Sequence, residues 1–282
     1  MIRGVAAGVP FVAVPPALPS PAVPVVLGWH LLDPPRTEAA FAAALPLAGL
    51  DAWRIYLGLP MSGSRLPPGG FDQVMRLAFD DAVLNVYGPM AEQLAGEVEE
   101  AWSALRAQLG IGDGPIGLLG GSFGAAAAQL VMAEGLVDAT AAVLVSPLVR
   151  LRPTVEAMGR RFGVSYEWSP PSLAVARRLD FVERADEIAA HGQPAVLLAV
   201  GEDDEPEAFV GPATQLRDAL RAGYDDATRV ELVTVPGMAH ALAAEPGAEP
   251  EPQSPHAAEV DLHAVRWLSR HLTVTASPAF SG

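Results

Sequence analysis

Residues Pro115–Ala128 read PIGLLGGSFGAAAA, and their reading decides the fold. Ile116, Leu118 and Leu119 form a short apolar run, bounded by Pro115 and punctuated by glycine, which suits a buried strand. From Gln129 the pattern is helical, with Ala-rich turns and Leu130, Val131 and Met132 before a break at Gly135. Between the two sits Gly120-Gly121-Ser122-Phe123-Gly124, a G-x-S-x-G in strand–turn–helix context. The reason for the glycines is steric. A strand that turns abruptly into a helix holds its serine in a strained conformation, and side chains two residues to either side would collide. Ser122 then projects at a helix N-terminus, where partial positive charge and unpaired N–H groups favour a developing oxyanion. Alone, the pentapeptide reads equally well as a Gly-rich turn whose serine caps a helix. Its surroundings have to decide.

Outward from this stretch, strands alternate with helices. Val23–Leu27 is a continuous apolar run ending at Gly28-Trp29-His30, and a helix opens near Thr37 and stops at Pro46. Residues 51–59 form the next strand, 60–70 a Gly/Pro/Ser-rich loop, and 89–109 a long helix ended by Gly110. Further strands are expected at 141–145, 195–200 and 230–235, with helices at 213–222 and 256–272. Such alternation implies βαβ units, hence a mostly parallel central sheet flanked by helices: an α/β fold. The rhythm breaks over 147–190, which holds Phe162, Tyr166, Trp168, Pro170 and Pro171 and reads as a small cap inserted into a body made of 1–146 and 191–282. The apolar start, interrupted by Pro10, Pro15 and Pro16, reads as a first strand and not as an export signal.

Composition narrows the chemistry. The chain has 282 residues, room for one large domain with a sizeable core. It has no cysteine, which removes disulfides, a thiol nucleophile and thiolate metal sites. All 18 basic residues are arginine, so a lysine Schiff base, a lysine base or a Walker loop is excluded. A net charge of −15 argues against nucleic acid and anionic membranes as partners. These features suit a cytoplasmic enzyme acting on small molecules, and they leave oligomeric state open. Residues 150–178 carry six arginines against two acids. That cluster either draws a substrate carboxylate or pairs with acids on the body.

A serine hydroxyl needs an imidazole to take its proton and a carboxylate to orient that imidazole. In parallel sheets such groups gather where strands end. The strand at 195–200 runs into Gly201-Glu202-Asp203-Asp204-Glu205, and that at 230–235 into Pro236-Gly237-Met238-Ala239-His240. The chain order is thus Ser122, acid, His240. At this point the chain resembles the α/β-hydrolases of the serine esterase and prolyl-oligopeptidase-like branches, over nearly its whole length. The resemblance implies an acid three residues after the glycine, which selects Asp204 over Asp203. It also implies an oxyanion hole from the N–H of Phe123 and, by position, of Trp29, or of His30 if the register slips by one. Trp29, His30, Phe123 and Met238 are then expected beside the substrate. No metal and no organic cofactor is implied.

Other histidines are weaker candidates. His256, His263 and His271 lie along the last helix and His191 at a helix end, where structural roles suffice. Gly110, Gly112 and Gly114 precede the strand, so they make no dinucleotide fingerprint. The expected function is hydrolysis of a small or medium carboxylic ester through an acyl-enzyme on Ser122. A short-peptide or aminoacyl-amide hydrolase, or a ligand-binding protein without turnover, remains as an alternative.

Overall fold

The computed structural model describes residues 1–18 and 20–273, and residues 274–282 of the expected 191–282 segment lie outside the described part. Eight strands form one sheet: β1 (Ile2–Ala6), β2 (Val9–Val14), β3 (Val25–Trp29), β4 (Trp53–Leu57), β5 (Ile116–Gly121), β6 (Ala139–Val145), β7 (Ala195–Gly201) and β8 (Val230–Val235). Their spatial order is β1-β2-β4-β3-β5-β6-β7-β8. The first three neighbours pair antiparallel and all the rest parallel. The expected single strand at the start is two strands, because Ala7 and Gly8 both adopt positive φ and close a two-residue hairpin turn.

Side chains alternate between the two faces of the sheet, and each face has its own core. Leu27, Leu118, Leu144 and Leu198 pack with α3 (Gly88–Leu109), α4 (Phe123–Ala133) and α8 (Gly211–Gly223). Val26, Leu119, Val143 and Leu197 pack on the other side with α1 (Glu38–Ala44) and α9 (Pro255–His271). Residues next to one another in a strand thus serve opposite layers, the period of two that a pleated strand imposes. Among the described residues, no helix is long and apolar enough to cross a membrane.

The stretch between the 60–70 loop and the 89–109 helix, to which the sequence reading assigns no element, forms α2 (Gly70–Ala82). Val74, Leu77 and Ala78 pack half-buried against the core at helical spacing, while Phe71, Met75 and Phe79 stay exposed and no residue is fully buried. The 147–190 insertion holds α5 (Leu151–Phe162), α6 (Pro170–Arg178) and α7 (Ala185–Ala190). α5 and α6 sit over the ends of body segments. The Thr154 hydroxyl on α5 donates to the Ala208 carbonyl at 3.1 Å, and Val175 on α6 lies against Gly88. The Tyr166 hydroxyl between them donates to Asp81 at 2.7 Å. α7 packs against α4 and α8 in the body layer, inside the stretch expected to be cap.

Candidate active site

Ser122 sits at the turn from β5 to α4 with φ 49° and ψ −115°, a conformation that side-chain-bearing residues rarely adopt. The neighbouring glycines are what make the turn possible. A Cβ on Gly120 would fall 2.2 Å from the Gly124 carbonyl oxygen, and one on Gly124 2.1 Å from that of Trp29. The turn is anchored on both sides: the Ser122 N–H donates to Val145 at 2.9 Å, and its carbonyl accepts from Ala125 and Leu148. Phe123 opens α4, so its N–H has no partner within the helix.

The loops after β7 and β8 complete the array. The Ser122 hydroxyl lies 2.8 Å from His240 Nε2, and His240 Nδ1 lies 3.0 and 3.1 Å from the two oxygens of Asp204. An ionised carboxylate only accepts, so Nδ1–H donates to Asp204 and Nε2 accepts from the serine hydroxyl. Asp204 is fully enclosed and also accepts from the Glu205 N–H at 2.8 Å. Asp203, Glu202 and Glu205 are exposed. The two loops clasp one another, since the Asp203 N–H donates to Met238 and the Gly237 N–H to Glu202.

The structure corrects the roles expected of several neighbours. The side chains of Trp29, Phe123 and Met238 are buried in the two cores and offer no surface to a substrate. Trp29 ends β3 between Leu57 and Gly120, which is why its indole points into a packed layer. His30 is fully buried too, and both its ring nitrogens are occupied. Nδ1–H donates to the Leu31 carbonyl at 2.7 Å and Nε2 accepts from the Leu59 N–H at 3.3 Å. Burial pushes this imidazole down to about 4, against a smaller upward pull from the Leu31 carbonyl. It is a neutral brace under the β3 exit loop.

Three residues near Ser122 and His240 went unforeseen. Phe209 stacks on the His240 ring at 3.9 Å between centroids. Tyr87 packs on Phe123 at 5.8 Å, and burial, followed by the charge of Asp33, pushes its phenol up to about 12. Asp33 places Oδ2 3.7 Å from His240 Nε2. No motif marks any of them, because they arrive from three separate segments of the chain. The arginine cluster is largely matched by acids: Arg150 with Asp180, Arg152 with Glu156, Arg160 with Glu207 and Arg178 with Glu134. His191 caps α7, and His256, His263 and His271 lie on α9. Among the described residues, no group of histidines and carboxylates could hold a metal ion.

No protein-family model and no curated protein matches the sequence. Solved structures do match its shape. TT1662 from Thermus thermophilus aligns with a TM-score of 0.68 at 20% identity, over 97% of this chain and 98% of its own. Est1E from Butyrivibrio proteoclasticus, solved with bound ferulic acid, gives 0.62 at 14% identity over 96% and 99%. A puromycin-hydrolyzing peptidase from Mycobacterium tuberculosis gives 0.63 at 17% identity, over 96% of this chain but 39% of its own. With its sheet order, its strained Ser122 turn and these likenesses, the chain has the α/β-hydrolase fold.

Proposed function

We propose that the protein is a serine hydrolase that cleaves a carboxylic ester of a small or medium substrate. The observation that carries this reading is the continuous bonding from Asp204 through His240 to Ser122, with the serine held at a strained turn. His240 takes the hydroxyl proton as Ser122 Oγ attacks the carbonyl carbon. The N–H of Phe123, with one from the Trp29–His30 segment, holds the oxygen that becomes negative. The C–O bond to the leaving alcohol breaks as His240 returns the proton to that oxygen. Water then attacks the acyl-Ser122 ester, giving its proton to His240, and the acid leaves as Ser122 regains its hydrogen.

Amide cleavage uses the same groups, and the likeness to a puromycin-hydrolyzing peptidase supports keeping it as the second reading. α5 and α6 act as the cap over this site, while α7 belongs to the body. Labelling with a neutral fluorophosphonate, followed by peptide mapping, tests the reading. An adduct on Ser122 that is absent in Ser122→Ala is the expected result. A folded native protein that takes no label would instead be a ligand-binding member of this fold.

A further inference from the structure

A second carboxylate faces the reactive side of His240. Asp33 Oδ2 lies 3.7 Å from Nε2, the same nitrogen that accepts from Ser122. This distance is too long for a hydrogen bond, and the orienting position at Nδ1 is already taken by Asp204. The two acids differ in solvation as well: the Asp33 side chain is 51% exposed and that of Asp204 1%. Asp33 is therefore open to solvent on the Nε2 side of His240, the side that faces Ser122.

Its place is held by bonds on both sides. The Leu242 N–H, two residues beyond His240, donates to the Pro34 carbonyl at 3.0 Å. The Arg36 N–H donates to Gly247 at 2.7 Å. The nearby Arg36 guanidinium donates to the Leu32 carbonyl at 3.0 Å and to Glu245 at 2.8 Å, so its charge is directed elsewhere. Among the described residues, Asp33 forms no ion pair with an arginine. Four of the six cap arginines also pair with other acids. The Nε2 side of His240 thus carries a carboxylate that no arginine among the described residues neutralises, in a chain of net charge −15.

That charge acts on two species as Ser122 attacks. It favours the imidazolium and opposes the oxyanion, so a neutral ester gains little net benefit. A substrate that brings its own cation changes the balance. An ammonium two bonds from the attacked carbonyl lies within roughly 3–5 Å of the serine oxygen once that carbonyl is in attacking position, which is within reach of Asp33. We propose that Asp33 is a specificity-determining residue that pairs with an ammonium group beside the scissile carbonyl, making α-aminoacyl esters or amides the preferred substrates. This rests on the hydrolase reading above and narrows its substrate class.

The test compares ethyl esters of L-alanine, N-acetyl-L-alanine and propionic acid by pH-stat, near pH 6.5, about one unit below the usual α-amino pKa. Native protein, Asp33→Asn and Asp33→Glu are assayed, and each is labelled in parallel with the neutral fluorophosphonate. In native protein, kcat/KM for the alanine ester should exceed that for both neutral esters by about tenfold or more, the scale of one partly solvated charge contact. Asp33→Asn should abolish most of that ratio and Asp33→Glu should keep it. A native ratio near one, with Ser122 labelled, overturns the proposal and leaves the hydrolase reading intact. An equal loss on all three esters in Asp33→Asn would show that Asp33 acts through His240, and overturns it as well. Failure of native Ser122 to label would remove the hydrolase reading itself, and this proposal with it.

Discussion

The ring of Phe209 lies over the imidazole of His240, with centroids 3.9 Å apart and planes 33° from parallel. Phe209 belongs to the 206–210 turn that follows Asp204, and α5 reaches this turn through the Thr154–Ala208 hydrogen bond. One face of the imidazole is thus covered, and the ring is confined to the plane in which Asp204 and Ser122 meet its two nitrogens.

Phe209→Leu keeps apolar volume but loses the flat face. On a neutral aryl ester, kcat should fall about tenfold, with KM within about twofold, as a small misalignment of a reacting group would cause. Phe209→Tyr should retain the rate. Steady-state kinetics decide it, and an unchanged kcat in Phe209→Leu would show that Asp204 alone orients the ring.

Asp204→Asn leaves the shape of the site but can donate a hydrogen to Nδ1, which would force the proton to Nε2 and remove the acceptor for Ser122. A loss in kcat of about 10³- to 10⁴-fold is expected. Asp203→Asn, at an exposed position beside it, should stay within about twofold. Equal losses from the two variants would contradict the assignment of the acid.

Gly124→Ala would drive a Cβ against the backbone carbonyls of Trp29 and His30, at 2.1 and 2.4 Å. The rigid atoms on both sides must then separate, at about 2–3 kcal/mol of stability and with at least a hundredfold loss in kcat as the Trp29–His30 segment shifts against the Ser122 turn. Gly110→Ala is the contrast. Gly110 also has positive φ, at 66°, yet a Cβ there meets nothing within 4 Å, so about 1 kcal/mol should be lost without a change in rate. Chemical denaturation and ester turnover on both variants measure this.

His30 links stability to pH. Its pKa is about 4 in the folded protein and near 6.5 when unfolded, so the unfolded chain binds the extra proton between these values. The contribution is complete above about pH 6.5, is lost as pH falls towards 4, and falls no further below that; the total is about 3 kcal/mol. His30→Gln keeps a donor for Leu31 and an acceptor for Leu59 without titrating. The stability difference between native protein and variant, from urea unfolding at pH 7.5, 5.5 and 4, should therefore change by about that amount in the variant's favour. Parallel curves would mean that His30 carries a proton in the folded state.

The alternation of apolar runs with helical patterns is local, and it foretold the parallel strands from Val25 to Val235 and the long helix over 89–109 with good boundaries. α2 carries Val74, Leu77 and Ala78 at helical spacing, but none is fully buried, and what covers them is set by the long-range packing of the core and not by local pattern. The opening hairpin was missed for another reason. Its turn depends on positive φ at Ala7 as well as Gly8, and alanine does not announce that conformation.

By itself the sequence determined the α/β architecture and pointed to a candidate nucleophile, acid and base. Gly120, Ser122 and Gly124 bear a steric pattern that works within five residues, and the acid and histidine stand where strands end. Tertiary structure alone decided which side chains surround them. Trp29, His30 and Met238 lie close in sequence to the candidate groups, but the packing of helices on both faces of the sheet buries their side chains. Asp33, on the loop after β3, and Tyr87 and Phe209, in helical turns leading into α3 and α8, converge on one imidazole and its serine turn. Such convergence depends on the order in which strands pair, a long-range outcome of packing that no local spacing records.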